Sequence, residues 1–122
     1  MPDNKINGFL EYLKKERNYS SHTIKAYGTD LIQFSQFVKE YDGTGSFDVL
    51  SVDKKTVRHF VNSLEEDGLS PKSRCRKLAS VKSFFRYLLK NGHVKSNPAS
   101  AVKGPKLPPK LPQVIQKEIM DL

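Results

Sequence analysis

Residues 70–91 read SPKSRCRKLASVKSFFRYLLKN, one amphipathic helix with both ends marked. Ser70 is suited to the N-cap because its hydroxyl can accept from an otherwise unpaired first-turn amide, and Pro71 at the first helical position loses nothing by lacking an N–H. Gly92 offers the left-handed stop just beyond the last apolar residue. At 100° per residue, Leu78, Val81, Phe85, Leu88 and Leu89 share a stripe with Cys75 at its edge, the spacing of a core-facing helix. Lys72, Ser73, Arg76, Ser80 and Ser83 fall on the opposite side, and Arg74 and Lys77 flank the first two turns. One face is expected to be structural and the other to offer cations and small hydroxyls.

A cluster of Lys and Arg on a helix is often no more than a solvated face. Here the surroundings argue otherwise. Between Gly68 and Lys117 there is no Asp or Glu, while twelve Lys and Arg occupy that span. An ordinary surface helix mixes signs and gains i,i+4 pairs; this segment repels itself unless an anion is near. Up to Asp67 the chain carries nine basic against eleven acidic residues, so the whole formal charge of +8 comes from the second half. With a sequence pI near 9.6, such one-sided charge is the footprint of a nucleic-acid binder first, and of a protein on an anionic membrane surface second.

Working outward, the 122 residues suit one domain, or one domain and a tail. Ile6, Phe9, Leu10 and Leu13 make a short helix over residues 5–17. Ser20 or Ser21 can cap a longer one running to about Glu40, with Ile24, Tyr27, Leu31, Phe34 and Val38 as its buried stripe. Gly28 interrupts it at a cost of about 0.5–1 kcal/mol relative to Ala; either another backbone or a DNA phosphate approaches closely there, or the position is simply weak, the reading favoured here. Asp42–Ser46 is a loop, after which Leu50 is the expected core anchor. Asp53 can cap a third helix to Asp67 carrying Val57, Phe60, Val61 and Leu64, ended by Gly68. The pattern is all-α: four helices without a strand, and a short fifth helix expected from Asn97 and Pro98 to about Val102.

Residues 104–112, GPKLPPKLP, form the clearest boundary: their prolines favour extended polyproline II, which at ~3.1 Å per residue spans roughly 28 Å. The expected organisation is a nucleic-acid-binding domain over 1–103, a linker over 104–112, and over 113–122 the start of a second domain cut short.

No catalytic constellation is found. His22, His59 and His93 are scattered without metal-ligand spacing, and Cys75, the single cysteine, leaves no disulfide or Cys-based zinc site. No cofactor is expected. No stretch approaches the ~18 apolar residues of a membrane span, so a cytoplasmic protein without a membrane partner is the expectation. The helix starts are more informative. Those of the second and fourth helices combine unpaired amides, hydroxyl caps and following cations, Lys25 in one and Lys72, Arg74 and Arg76 in the other, which suits a DNA backbone.

The residues also match a family pattern. SSHTIKAYGTDLIQFSQF (20–37) resembles the S-x-x-T-x-x-A-Y-x-x-D-L-x-x-F run of the N-terminal, SAM-like core-binding domain of tyrosine recombinases, the phage integrase and Xer group. LSPKSRCRKLASVKSFFRYLLKNG (69–92) is similar to that family's L-S-x-x-S-x-x-R-x-L-S helix, and NPASAVKGPKLPPKLPQVI (97–115) to its interdomain junction. The resemblance implies a four-helix SAM-like orthogonal bundle that, with a larger catalytic domain, clamps duplex DNA at a recombination site for DNA integration and recombination. It implies that helices 2 and 4 face the major groove, with Lys72, Ser73, Arg76, Lys77 and Ser80 on helix 4 and Ser21, Thr23 and Lys25 on helix 2 as DNA contacts. Arg74 is included although the wheel turns it inward. Other recombinase protomers are the implied partners of a full-length assembly, the isolated domain being a monomer.

Gly28-Thr29 departs from relatives that carry a basic residue after the Tyr. The family's Arg, Lys, His-x-x-Arg and nucleophilic Tyr belong to the second domain, so this chain is expected to bind DNA and cut nothing. Two other readings are a stand-alone helical DNA-binding regulator and a protein-interaction module using the PxxP runs of PKLPPKLP.

Overall fold

The computed structural model describes residues 4–43 and 45–105. Within them lie four α-helices and no strand: α1 (Asn4–Lys15), α2 (Ser21–Asp42), α3 (Lys54–Glu66) and α4 (Pro71–Lys90), with a single 3-10 turn at Val49–Ser51. Residues 106–122, which hold most of the expected linker and the expected start of a second domain, lie outside the described residues.

Each of α2, α3 and α4 begins where a short polar side chain can take up a first-turn amide. Ser20 Oγ accepts from Thr23 N–H at 3.2 Å, Asp53 Oδ1 from Thr56 N–H at 2.8 Å, and Ser70 Oγ from Ser73 N–H at 3.2 Å. The ends are as local. Gly68 (φ 86°) and Gly92 (φ 76°) adopt the left-handed conformation, and the next residue donates back into the last turn: Leu69 N–H to Leu64 O at 3.1 Å, His93 N–H to Leu88 O at 2.9 Å. Asn18 (φ 57°) turns the chain between α1 and α2, a conformation Asn tolerates better than most side chains.

The central pair is α2 and α4. They pack on one another, and each packs on both α1 and α3, while α1 and α3 do not meet. Phe34 of α2 sits at the middle of the core, edge-on to Phe60 of α3 (5.1 Å between centroids), Phe85 of α4 (6.2 Å) and Phe47 (6.0 Å). Phe9 ties α1 to the same core through Phe84 and Tyr87 of α4 and Tyr27 of α2. Truncating such a buried ring to Ala typically costs about 3–5 kcal/mol. At Gly28 an added Cβ would stand 3.4 Å from Leu10 Cδ1 of α1, an ordinary contact with a side chain, so no other backbone crowds the position.

Three expectations are corrected. Leu50 is 71 % exposed, and the loop before α3 is pinned instead by Val49 and Val52, which are buried; the 3-10 turn, capped by Asp48 Oδ1 accepting from Leu50 N–H, rotates Leu50 outward. On α4, Leu89 is exposed and Phe84 wholly buried. Partners on three sides widen the buried arc beyond one stripe and shift it toward α1. The fifth helix is absent. Asn97 does cap, its Oδ1 accepting from Ala99 N–H at 3.0 Å, but the next residues form only a pair of i→i+3 turns, Ser100 N–H to Asn97 O and Val102 N–H to Ala99 O. Those turns bury Ala99 and Val102, and Gly104-Pro105 ends the segment before a helical ladder can start.

Candidate nucleic-acid interface

The starts of α2 and α4 are near copies. Ser20 and Ser70 have the same extended backbone (φ −66°, ψ 155° and φ −66°, ψ 158°), and each hydroxyl also meets that of the residue three later, Thr23 Oγ1 at 3.0 Å and Ser73 Oγ at 3.2 Å. Neither first turn contains an acid. Ser21, Thr23 and Lys25 are placed on the first turns of α2, Lys72 and Ser73 on those of α4; Ser21, Thr23 and Ser73 carry hydroxyls and the two lysines carry charge. On α2 the first main-chain bond is Ile24 N–H to Ser20 O at 3.0 Å. The amides of Ser21 and His22 therefore precede the ladder and face solvent or an anion.

The two helices cross at a buried carboxylate. Asp30 of α2 is 1 % exposed, and its Oδ1 accepts from Lys77 Nζ at 2.9 Å and Arg76 Nη2 at 3.0 Å, while Oδ2 accepts from Ser80 Oγ at 2.8 Å. This changes the reading of α4. Lys77 and Ser80 are buried at the helix–helix contact, so the expectation that Ser80 looks away from the core, and that Lys77 merely flanks it, is corrected. A carboxylate facing α4 makes that polar strip an inner surface. Arg76 differs, its side chain remaining 59 % exposed although one nitrogen is held by Asp30.

Sequence reasoning does not single out Asp30, though a signal for its burial exists. It lies three residues after Tyr27 and four before Phe34, on the buried side of α2, where a charge needs a partner. At 1.5 Å per residue the starts of α2 and α4 stand about 14 and 9 Å from this crossing, which places them within about 25 Å of each other, less than the ~34 Å of one DNA turn.

Arg74 points toward α3, as its wheel position suggested. Its side chain is 12 % exposed and pairs with Glu65 at 3.5 Å, with Nε buried and lacking a hydrogen-bond partner. The acid-free stretch that begins at Gly68 thus draws part of its compensation from Asp30 and Glu65 before it. Lys25, Lys72, Lys82 and Arg86 have no ion pair among the described residues. Beyond α4 the chain returns to that helix's first turns: Cys75 Sγ donates to Pro105 O at 3.4 Å, and a Cβ on Gly104 would stand 3.0 Å from that sulfur.

Among the described residues no group of His, Cys, Asp and Glu could hold a metal ion, and no helix is long and apolar enough to cross a membrane. His22, His59 and His93 are exposed and far apart in sequence.

Residues 6–92 match the family described as phage integrase, N-terminal SAM-like domain. The chain belongs to this family. The matched span begins in α1 and ends at the glycine after α4, so the SAM-like domain coincides with the four-helix body. Among similar proteins are the tyrosine recombinases XerC of Chlorobaculum tepidum, 42 % identical over 116 residues, and of Chlorobaculum parvum, 41 % identical over 116 residues. That of Xanthomonas campestris pv. campestris is 39 % identical over 113 residues. Each alignment covers 93 % of this chain and 34 % of the relative, so the SAM-like chain spans about a third of the length of the curated relatives it matches. No solved structure matches.

Proposed function

We propose that this SAM-like domain grips one side of duplex DNA as the core-binding part of a site-specific tyrosine recombinase working in the cytoplasm, and that the strand breakage and rejoining belong to residues outside it. The observation that carries this reading is the pair of matching, acid-free helix starts, α2 and α4, set within one DNA turn of each other and each carrying a lysine, Lys25 or Lys72, with no ion pair among the described residues. Backbone amides, serine and threonine hydroxyls and lysines are the groups that position a protein on phosphates, while a forked guanidinium such as that of Arg76 is suited to a guanine edge. In this reading Ser21, Thr23, Lys25, Lys72 and Ser73 meet phosphates and Arg76 reads a base. Lys77, Ser80 and Arg74 act from behind, through Asp30 and Glu65.

Residues 104–112 then serve as the linker that passes across the DNA backbone toward a second domain. The return of Gly104 and Pro105 to Cys75 supports this, since it starts that linker beside the DNA-facing end of α4. Other recombinase protomers are the further partners, met on paired sites by the full-length protein.

The test is fluorescence anisotropy with a labelled duplex and its single strand. The chain binds the duplex preferentially, and Lys25→Ala and Lys72→Ala each weaken selected and random duplexes by similar factors. Equal affinity for single strand and duplex, or no effect of either substitution, overturns the reading.

A further inference from the structure

Arg76 is exposed, yet its partner is not. A surface ion pair ordinarily joins two mobile side chains and fixes neither. Here the side chain of Asp30 is 2 % exposed and tied down from two further directions, by Lys77 Nζ and Ser80 Oγ. One nitrogen of the guanidinium, Nη2, is therefore held at a rigid point in the α2–α4 contact, and the side chain, 59 % exposed, projects with most of its N–H donors unspent. Lys72 and Ser73 lie one turn back on the same face of α4.

We propose that Asp30 is a positioning residue for DNA recognition: its buried carboxylate, held by Lys77 and Ser80, sets the direction of the Arg76 guanidinium before DNA arrives. This rests on the DNA-binding reading above and adds to it a residue that does not itself touch DNA. A fork already aimed loses less rotamer freedom on contact and presents its paired donors in one plane, which favours bidentate contact with a base edge over a loose contact with phosphate. An acid near DNA would by its charge alone oppose binding. Asp30 favours selective binding because its orienting effect on Arg76 outweighs that repulsion.

Replacing Asp30 alone would leave Lys77 buried and unpaired, so the informative variant is Asp30→Asn with Lys77→Met, which leaves the net charge unchanged. The duplex is one selected from a random pool by the parent chain, with a scrambled duplex as reference, and folding is checked by circular dichroism. Arg76→Ala is expected to reduce the ratio of affinities, selected over scrambled, by about tenfold or more. The double variant should lose a comparable share of that ratio, while affinity for the scrambled duplex changes less than about threefold. Adding Arg76→Ala to the double variant should cost at most a further threefold or so, because the two changes remove one device.

A folded double variant that keeps the parent's selectivity, or losses that multiply, overturns the proposal. If the double variant does not fold, the parent decides: slowly exchanging Arg76 Nη resonances in free protein support it, and freely rotating ones refute it. Failure of the parent to bind duplex at all sinks the DNA-binding reading itself, whereas a parent that binds every duplex equally sinks only this inference. A selective parent indifferent to Arg76→Ala sinks only this inference.

Discussion

Replacing Asp30 with Asn keeps the shape of the side chain and removes its charge. Lys77, 7 % exposed, then holds an ammonium against an amide, and whichever way the amide turns it cannot serve Lys77, Arg76 and Ser80 as the carboxylate does. Breaking a buried pair by neutralising one partner typically costs about 3–5 kcal/mol, mostly as the penalty of the stranded charge. The exposed Arg76 pair adds at most about 1 kcal/mol. Against a total stability of about 5–15 kcal/mol for a domain of this size, the variant loses a large fraction. At roughly 4–8 °C per kcal/mol, Tm should fall by roughly 12–48 °C. Thermal and urea unfolding followed by circular dichroism measure it, and a further Lys77→Met should recover most of the loss. A drop in Tm of less than about 4 °C for Asp30→Asn would show that the crossing of α2 and α4 does not depend on this carboxylate.

Asp53 accepts hydrogen bonds from Thr56 N–H and Thr56 Oγ1, which hold its carboxyl below the ordinary value, the backbone bond contributing most. Its folded value being depressed, the stabilisation is present above the unfolded value and is lost as pH falls through the folded one. Asp53→Ala should thus cost about 0.5–1 kcal/mol at neutral pH, the low end for a cap because the site is exposed, and the gap from the parent should close in acid unfolding curves. Gly28→Ala should stabilise by up to about 1 kcal/mol in urea melts, since the added Cβ meets Leu10 at ordinary contact distance; a destabilised variant would mean that α1 cannot yield there. Gly104→Ala forces Cys75 Sγ or the returning chain to move, so Cys75 should react faster with a thiol reagent, and an unchanged rate would contradict that packing.

Much of the fold could be read from the chain because its signals are local. Ser20, Asp53 and Ser70 cap helices through their own side chains, and Gly68 and Gly92 stop them through their own φ angles; neither depends on distant residues. Misreadings arise where tertiary packing decides. Leu50 and Val49 are equally apolar, and only the 3-10 turn determines which enters the core. Leu89 and Phe84 exchange places because α4 is approached from three sides, which a one-stripe wheel cannot represent. Asn97 and Pro98 carry a valid helix start, but burying Ala99 and Val102 is satisfied by turns.

The candidate interface divides the same way. Ser21, Thr23 and Lys25 sit at the start of α2 and Lys72 at that of α4, as the capping signals imply. Lys77 and Ser80 look equally available until Asp30, forty-seven and fifty residues away in sequence, is brought against them. Long-range charge pairing has no period along the chain. Its traces are an acid on the apolar side of α2 and the place of Asp30 in the Y-x-x-D-L run.

The central claim, that this SAM-like domain holds duplex DNA by its phosphates, is tested most directly by the salt dependence of binding. With roughly four to six phosphates neutralised, a plot of log K against log salt should fall with a slope near −4 to −5. A slope near zero would contradict it.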